Sequence, residues 1–136
     1  MTLKLIGLIL SLIFFDQVSK IIVLKSSLPI AYNTGISFGM LSSLGSGVIV
    51  LNIIIIFVLL YLLTKPRNIW FRVGIVLLLA GSVSNLIDRL ARGNVIDFIK
   101  FPILNFWPFF NMADVAITLG IVLVILSEWK SQPKQE

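Results

Sequence analysis

Four long apolar stretches constrain the fold of this chain more than any other feature. They cover Leu3–Leu24, Gly47–Leu63, Ile69–Asp88 and Met112–Trp129, and polar segments containing proline or glycine separate them. Hydrophobic residues make up 58% of the 136 residues and charged residues only 12%, more apolar surface than a soluble domain of this size can bury. At about 1.5 Å per residue, even the shortest stretch reaches roughly 25 Å, just enough to cross a bilayer. The sequence therefore predicts one all-α integral membrane domain over residues 1–136, a bundle of four transmembrane helices.

Composition also limits the chemistry. The chain contains no cysteine and no histidine, which excludes thiol nucleophiles, Ser-His and Cys-His triads and the zinc sites built from these residues. We therefore expect no metal or other cofactor, and any acid–base chemistry falls to Asp, Glu, Lys or Tyr. The net charge of +5 is modest and dispersed, which suits anionic lipid headgroups and not nucleic acid. Both glutamates lie in or near the tail, so the acids in the body of the chain are Asp16, Asp88, Asp97 and Asp114.

Polar residues cluster at the ends of three of the apolar stretches. In an up-down-up-down bundle these three ends lie at the same face, and the loops that carry Asn33 and Asp97 open there too. The distribution of Lys and Arg favours the outer side of the membrane for this face and the cytoplasm for both termini. The three clusters are Asp16, Gln17, Ser19 and Lys20; Ser82, Ser84, Asn85, Asp88 and Arg89; and Asn111 with Asp114.

The segment Asn94–Asp114, NVIDFIKFPILNFWPFFNMAD, carries the strongest candidates for catalysis. It leads from a short strand-like run at Asp97, through an aromatic interfacial segment, into the fourth helix at Asp114. An ionisable group within a span costs roughly 2.5 to 3.5 kcal/mol on insertion scales and is a functional candidate by default. Two close carboxylates share a proton, so one can activate water while the other protonates the substrate. We expect Asp97 and Asp114 to be such a pair.

Several of these residues also have a purely structural interpretation. Asn111 and Asp114 could cap the fourth helix, and Asp97 could be an exposed loop acid. Asp88 could form an ion pair and cap at a helix end, whereas Arg89 could reach a substrate carbonyl or a lipid phosphate.

Other polar residues are expected to join helices or form turns. Asp16 and Lys20 have the favourable i,i+4 order for an ion pair, and Asn52 is expected to connect two helices. Asn33 could form a turn with Gly35 or hydrogen-bond an extended peptide. A Ser-Lys hydrolase is a competing enzyme, but adjacent serine and lysine at residues 19 and 20 diverge on a helix.

Five sequence blocks, in order, resemble the lipoprotein signal peptidase (signal peptidase II) family of bacterial membrane aspartic peptidases. The blocks are Asp16–Lys20, Asn33–Gly39, Ser84–Arg89, Val95–Phe98 and Phe110–Asp114, and the resemblance covers nearly the whole chain. The resemblance implies that Asp97 and Asp114 are catalytic. It also implies that the substrate is bound by Asn33, Asn85, Arg89 and Asn111. The residues that support the site are, by the same resemblance, Asp16, Lys20, Asp88 and Gly35.

By that resemblance the substrate is a prolipoprotein whose cysteine carries diacylglycerol, cleaved before that cysteine at the outer face of the bacterial inner membrane. The family is blocked by the peptide antibiotic globomycin and has a small extracytoplasmic β-cradle. We expect a reduced cradle, because only twelve residues separate Lys20 from Asn33. Ala80 and Ser84 stand where the resembled family usually has glycines, which argues against close helix packing there. A monomer is expected; the alternative functions are a non-catalytic lipoprotein-binding paralogue and a small membrane carrier.

Overall fold

The computed structural model describes residues 3–35, 45–102 and 106–131. The second half of the Asn33–Gly39 block lies outside these residues. The helical bundle expected from the apolar stretches is confirmed, together with a small sheet. The elements are α1 (Leu3–Leu24), β1 (Ala31–Asn33), α2 (Gly47–Leu63), α3 (Ile69–Arg92), β2 (Val95–Asp97) and α4 (Met112–Ser131).

The helices suit a lipid environment. By length and composition α1, α3 and α4 can each cross a membrane, and α2 is a shorter apolar helix. Large apolar side chains on α2 are exposed, among them Ile54 and Phe57, with Phe57 66% exposed. Such surface would be unfavourable in water but is compatible with contact to acyl chains.

Helix α3 is longer than the sequence predicted. It was expected to end near Asp88, but it continues to Arg92 because Asp88 and Arg89 are buried among partners inside the bundle. The helix ends at Gly93, which adopts the left-handed conformation with φ of 78° and donates its N–H to the Arg89 carbonyl at 3.0 Å. Glycine reaches this conformation without a steric penalty, which explains the position of the helix end.

Helix α3 lies at the centre of the bundle and contacts α1, α2 and α4. Its largest interface is with α4, where the backbones approach closely at glycines. A Cβ atom at Gly81 would lie 2.5 Å from the carbonyl oxygen of Ala113, and one at Gly120 would lie 2.7 Å from that of Gly74. The α3–α4 interface is therefore closely packed at Gly81, which lies between Ala80 and Ser84 in the sequence.

The two strands form an antiparallel sheet in which Ala31 lies opposite Asp97. Beyond the sheet, Ile99 and Phe110 exchange backbone hydrogen bonds of 2.8 and 3.0 Å. This pairing closes the aromatic segment into a loop whose two ends meet. As a result Asp97, just before the loop, becomes a neighbour of Asn111, just after it.

Candidate active site

Polar side chains from α1, α3, β2 and the start of α4 are buried together at one end of the bundle. None of them exposes more than 8% of its surface. They are Asp16, Lys20, Asn85, Asp88, Arg89, Asp97 and Asn111.

Asp97 is held by two amide donors. Asn111 donates its Nδ2–H to Oδ1 at 2.6 Å, and Asn33 donates its Nδ2–H to Oδ2 at 3.1 Å. Burial, followed by the charge of Asp114, raises the pKa of Asp97 to about 6, although both amides and Lys20 act to lower it. Asp97 therefore retains a proton at a higher pH than an ordinary aspartate does.

Asp114 occupies the first turn of α4 and takes part in its cap. The Asp114 N–H donates to Asn111 Oδ1 at 2.9 Å, while the Asn111 N–H donates to Asp114 Oδ2 at 3.2 Å. This reciprocal arrangement is a capping box, so the structural interpretation of these two residues is confirmed. The other carboxylate oxygen, Oδ1, accepts from Asn85 Nδ2 at 3.0 Å.

Two asparagines connect the aspartates. Besides binding Asp97, Asn111 Nδ2 donates to Asn85 Oδ1 at 3.2 Å, and the amide nitrogen of Asn85 in turn binds Asp114. A continuous run of hydrogen bonds thus leads from the loop acid to the helix acid. Each carboxylate oxygen accepts from an amide N–H, which holds both acids in place and by itself favours their charged forms.

A buried lysine lies beneath this pair. Lys20 Nζ lies 2.6 Å from Asp16 Oδ2, 2.6 Å from Asp88 Oδ2 and 3.1 Å from Asn85 Oδ1. The expected i,i+4 pair of Asp16 and Lys20 is therefore present. Asp16 also accepts the Ala113 N–H at 2.9 Å, which ties α1 to the start of α4.

Asp88 forms the expected ion pair near the end of α3, with Arg92 in the last turn as one of its partners. Asp88 lies within α3, fully buried, and contacts Lys20 and Arg92 instead of Arg89. Arg89 donates its Nη2–H to the Gly35 carbonyl at 2.6 Å and its Nη1–H to the carbonyl of Asn85 at 3.3 Å. Arg89 thus fastens the chain that follows β1 to α3.

Asn33 and Gly35 form the expected turn. The Gly35 N–H donates to Asn33 Oδ1 at 3.0 Å. Asn33 therefore binds its own loop through its oxygen and Asp97 through its nitrogen, which joins the turn to the carboxylate pair.

Two cavities reach Asp114. A cavity of about 290 Å³ lies between α2, α3 and α4, with Asn33, Asn85 and Arg89 at its polar end. A second, of about 330 Å³, lies between the aromatic segment and α4. Asp114 lines both, so an extended chain in either cavity would pass the carboxylate.

Comparison with known proteins gives the family. The model of the family described as Signal peptidase (SPase) II matches residues 8–130. The chain belongs to the signal peptidase II family. Its function is accordingly that of a signal peptidase II, a protease, and it is a multi-pass protein of the bacterial inner membrane.

Individual relatives agree with this assignment. The chain is similar to the lipoprotein signal peptidase of Burkholderia mallei (strain SAVP1), with 38% identity over 90% of this chain and 86% of the relative. It is also similar to that of Thermodesulfovibrio yellowstonii, with 37% identity over 88% and 90% of the two chains.

Two solved structures share the fold. Both are described as a bacterial membrane enzyme structure determined by the in meso method. The one at 2.3 Å resolution has a TM-score of 0.88 and 31% identity, and covers 98% of this chain and 92% of its own. The one at 1.9 Å resolution has a TM-score of 0.82 and 30% identity, and the match covers 95% of this chain and 94% of the other.

In this signal peptidase II, two further residues belong to the buried network, although sequence reasoning assigns them no role. Gln17 Nε2 donates to Ser84 Oγ at 3.0 Å and to Asp88 Oδ1 at 3.1 Å, and Ser84 Oγ donates to Asp16 Oδ2 at 2.6 Å. The i,i+3 spacing of Gln17 and Lys20 was the available signal. Ser19, which shares a helical face with Asp16, instead donates to the Asp16 carbonyl within its own helix.

Proposed function

We propose that this signal peptidase II is an aspartic endopeptidase that removes signal peptides from prolipoproteins, cutting before a cysteine that carries diacylglycerol. The observation that carries the proposal is the run of hydrogen bonds that joins Asp97 to Asp114 through Asn111 and Asn85. It brings two carboxylates into one buried group beside cavities that acyl chains can enter. The whole chain acts as one integral membrane domain.

In this mechanism Asp97 holds the shared proton and Asp114 is ionised. Asp114 takes a proton from a water molecule, whose oxygen attacks the scissile carbonyl carbon, while Asp97 gives its proton to the carbonyl oxygen. The resulting gem-diol collapses as its hydroxyl returns a proton to Asp97. The proton on Asp114 passes to the leaving nitrogen, the C–N bond breaks, and the pair regains its starting state.

The surrounding residues have two roles. Asn33, Asn85 and Asn111, which contact the carboxylates in the free enzyme, bind the substrate backbone beside them. Arg89, which is bonded to the carbonyls of Gly35 and Asn85, also binds the substrate backbone. The ionic group beneath keeps those side chains in place because it joins α1, α3 and α4. This supporting group consists of Asp16, Lys20 and Asp88, with Gly35 as the anchor of Arg89.

The polar end lies at the outer membrane face, with both termini in the cytoplasm, and the enzyme acts as a monomer. Peptides of the globomycin type would compete with the substrate for the same cavities. No observation favours a carrier, because the ionisable groups lie near one end of the helices and not at the middle of the membrane.

The test is cleavage of a diacylglyceryl-modified precursor by the purified protein. Asp97→Asn and Asp114→Asn keep side-chain size and are expected to fold normally while turnover falls by about 100- to 10,000-fold. Glu128→Gln is the control, because this acid lies in an exposed pair with Arg67 far from the site. Retained turnover in either aspartate variant removes the aspartyl mechanism, and a wild type that binds substrate without cutting it supports the non-catalytic paralogue.

A further inference from the structure

A pair of polar residues stands in the otherwise apolar depth of the cavity between α2, α3 and α4. Asn52 of α2 and Ser82 of α3 both line this cavity, and both are largely buried. Asn52 Nδ2 donates to the backbone oxygen of Ser82 at 3.3 Å, a long hydrogen bond.

This hydrogen bond leaves other polar groups of the two residues unpaired. Among the described residues no partner binds Asn52 Oδ1, the second Nδ2–H of Asn52 or the Ser82 hydroxyl. Joining the two helices therefore uses one N–H of this pair and leaves its other donors free. In a hydrocarbon environment an unpaired polar group is unfavourable, so a ligand that pairs with it is favoured.

Helical spacing gives the depth of this pair. Asn85 contacts Asp114 and so marks the level of the carboxylates. Ser82 lies three residues before Asn85 on α3, which is about 4.5 Å further into the membrane. Leu59, seven residues beyond Asn52 on α2, lies roughly 10 Å deeper still. The cavity wall thus changes from the Asp114 carboxylate to amide and hydroxyl donors and then to apolar side chains.

A diacylglyceryl cysteine has the same order of chemical groups. From the scissile carbonyl carbon, roughly eight bonds of about 1.5 Å lead through the thioether and glycerol to an ester carbonyl, and the acyl chain follows. That linker is long enough to reach a donor about 4.5 Å deeper than the carboxylates. An ester carbonyl can only accept hydrogen bonds, and the free N–H and O–H groups are donors.

We propose that Asn52 and Ser82 bind an ester carbonyl of the substrate's diacylglyceryl group and so select for ester-linked lipid. This inference rests on the proposed function, because it concerns the same substrate in the same cavity. Asn52 and Ser82 contribute to lipid recognition, whereas the carboxylates cut the peptide bond.

The experiment compares two lipopeptides of identical sequence. One carries a diester glyceryl group on its cysteine, and the other carries a diether group of the same chain length, which lacks the carbonyls. Binding to the purified full-length protein in nanodiscs and steady-state cleavage are measured for wild type, Asn52→Leu and Ser82→Ala. Ser11→Ala is the matched serine control, because its hydroxyl is bonded within α1, and Ile53→Leu is the control on α2.

We expect wild type to bind the diester about fivefold more tightly than the diether, the effect of one hydrogen bond. Asn52→Leu and Ser82→Ala lose this preference, with a higher KM for the diester and little change in kcat, while both controls keep it. Equal changes for the two lipopeptides, or no change, overturn the inference and leave the pair as a contact between helices. Ester preference in binding without any cleavage supports the inference and rejects the proposed peptidase.

Discussion

Asp97 is subject to opposing influences that set its protonation. Burial and the neighbouring charge of Asp114 favour the neutral acid, while the amides of Asn33 and Asn111 favour the carboxylate. The balance raises its pKa to about 6, so the acid that the proposed mechanism uses as the proton donor still holds its proton in mildly acidic solution. An aspartate with an ordinary pKa would have lost that proton well below this pH.

The pH dependence of cleavage follows from this balance. We expect kcat/KM to fall as the pH rises through about 6, because the free enzyme then loses the proton on Asp97. The corresponding fall in kcat lies at higher pH, since bound substrate displaces water and further disfavours the charged form. Asn33→Ala removes a hydrogen bond to the Asp97 carboxylate, so the fall in kcat/KM moves to higher pH. Ser11→Ala leaves the pH of this fall unchanged. If Asn33→Ala does not shift this fall in kcat/KM, an ionisable residue other than Asp97 causes it.

Lys20 is expected to matter more for stability than any surface charge. Its removal in Lys20→Met leaves buried Asp16 without its cation and Asp88 with Arg92 alone, which lowers the free energy of unfolding by about 3–5 kcal/mol. Arg67→Gln breaks an ion pair with Glu128 in which both side chains are nearly half exposed, and costs about 0–1 kcal/mol. The free energies of unfolding of both variants, measured in the same detergent, test this prediction. Similar losses of stability in the two variants would contradict a buried ionic core.

At the level of elements, the apolar pattern predicts α1 and α2 to the residue but not the end of α3. The reason is that Asp88 and Arg89 resemble a membrane boundary in the sequence, whereas in the bundle they face Lys20, Arg92 and the loop at Gly35. The sequence could place the polar clusters at one face because helix direction alternates. It could not reveal the pairing of Ile99 with Phe110, because backbone hydrogen bonds leave no side-chain pattern.

The interface between α3 and α4 sets the position of Asp114 relative to Asn85. In Gly81→Ala the new Cβ meets the Ala113 carbonyl at 2.5 Å, which must push the first turn of α4 away. We expect a loss of about 1–3 kcal/mol in stability from overpacking and a fall in kcat/KM of about tenfold or more, because a small misplacement of catalytic groups is costly. Thermal unfolding and cleavage rates measure the two effects.

Two other glycines provide controls for this prediction. Gly7→Ala adds a Cβ with nothing within 4 Å, so it tests helix propensity alone and should be neutral or slightly stabilising. In Gly120→Ala the new Cβ is nearly as crowded as in Gly81→Ala, because it lies 2.7 Å from the Gly74 carbonyl oxygen. Residue 120, however, lies about two helical turns from Asp114. Gly120→Ala should lose comparable stability and less activity. Equal activity losses at residues 81 and 120 would show that only global stability is affected.

For the whole molecule, the buried charges and the candidate catalytic acids occupy one end of a single bundle. Asp16, Lys20 and Asp88 join α1 to α3, and the Asp16 bond to Ala113 extends this group to α4. The acids at residues 97 and 114 lie on the β2 loop and on the first turn of α4, which these helices support. The arrangement places a buried ionic layer beside the cavities that reach Asp114, so in the proposed mechanism substrate enters next to carboxylates that this layer holds in place.

The side of the membrane that this end faces can be tested without altering the site. The chain has no cysteine, so one introduced cysteine is a unique label. Ser27 is exposed between α1 and β1, at the polar end, and Arg67 is exposed in the turn between α2 and α3, at the opposite end. Lys65, Arg67 and Arg72 cluster at that opposite end, which favours the cytoplasm for it. In intact spheroplasts a membrane-impermeant maleimide should therefore label Ser27→Cys and leave Arg67→Cys unlabelled until the membrane is permeabilised. The reverse pattern would place the carboxylates on the cytoplasmic side, where a substrate already carried across the membrane could not reach them.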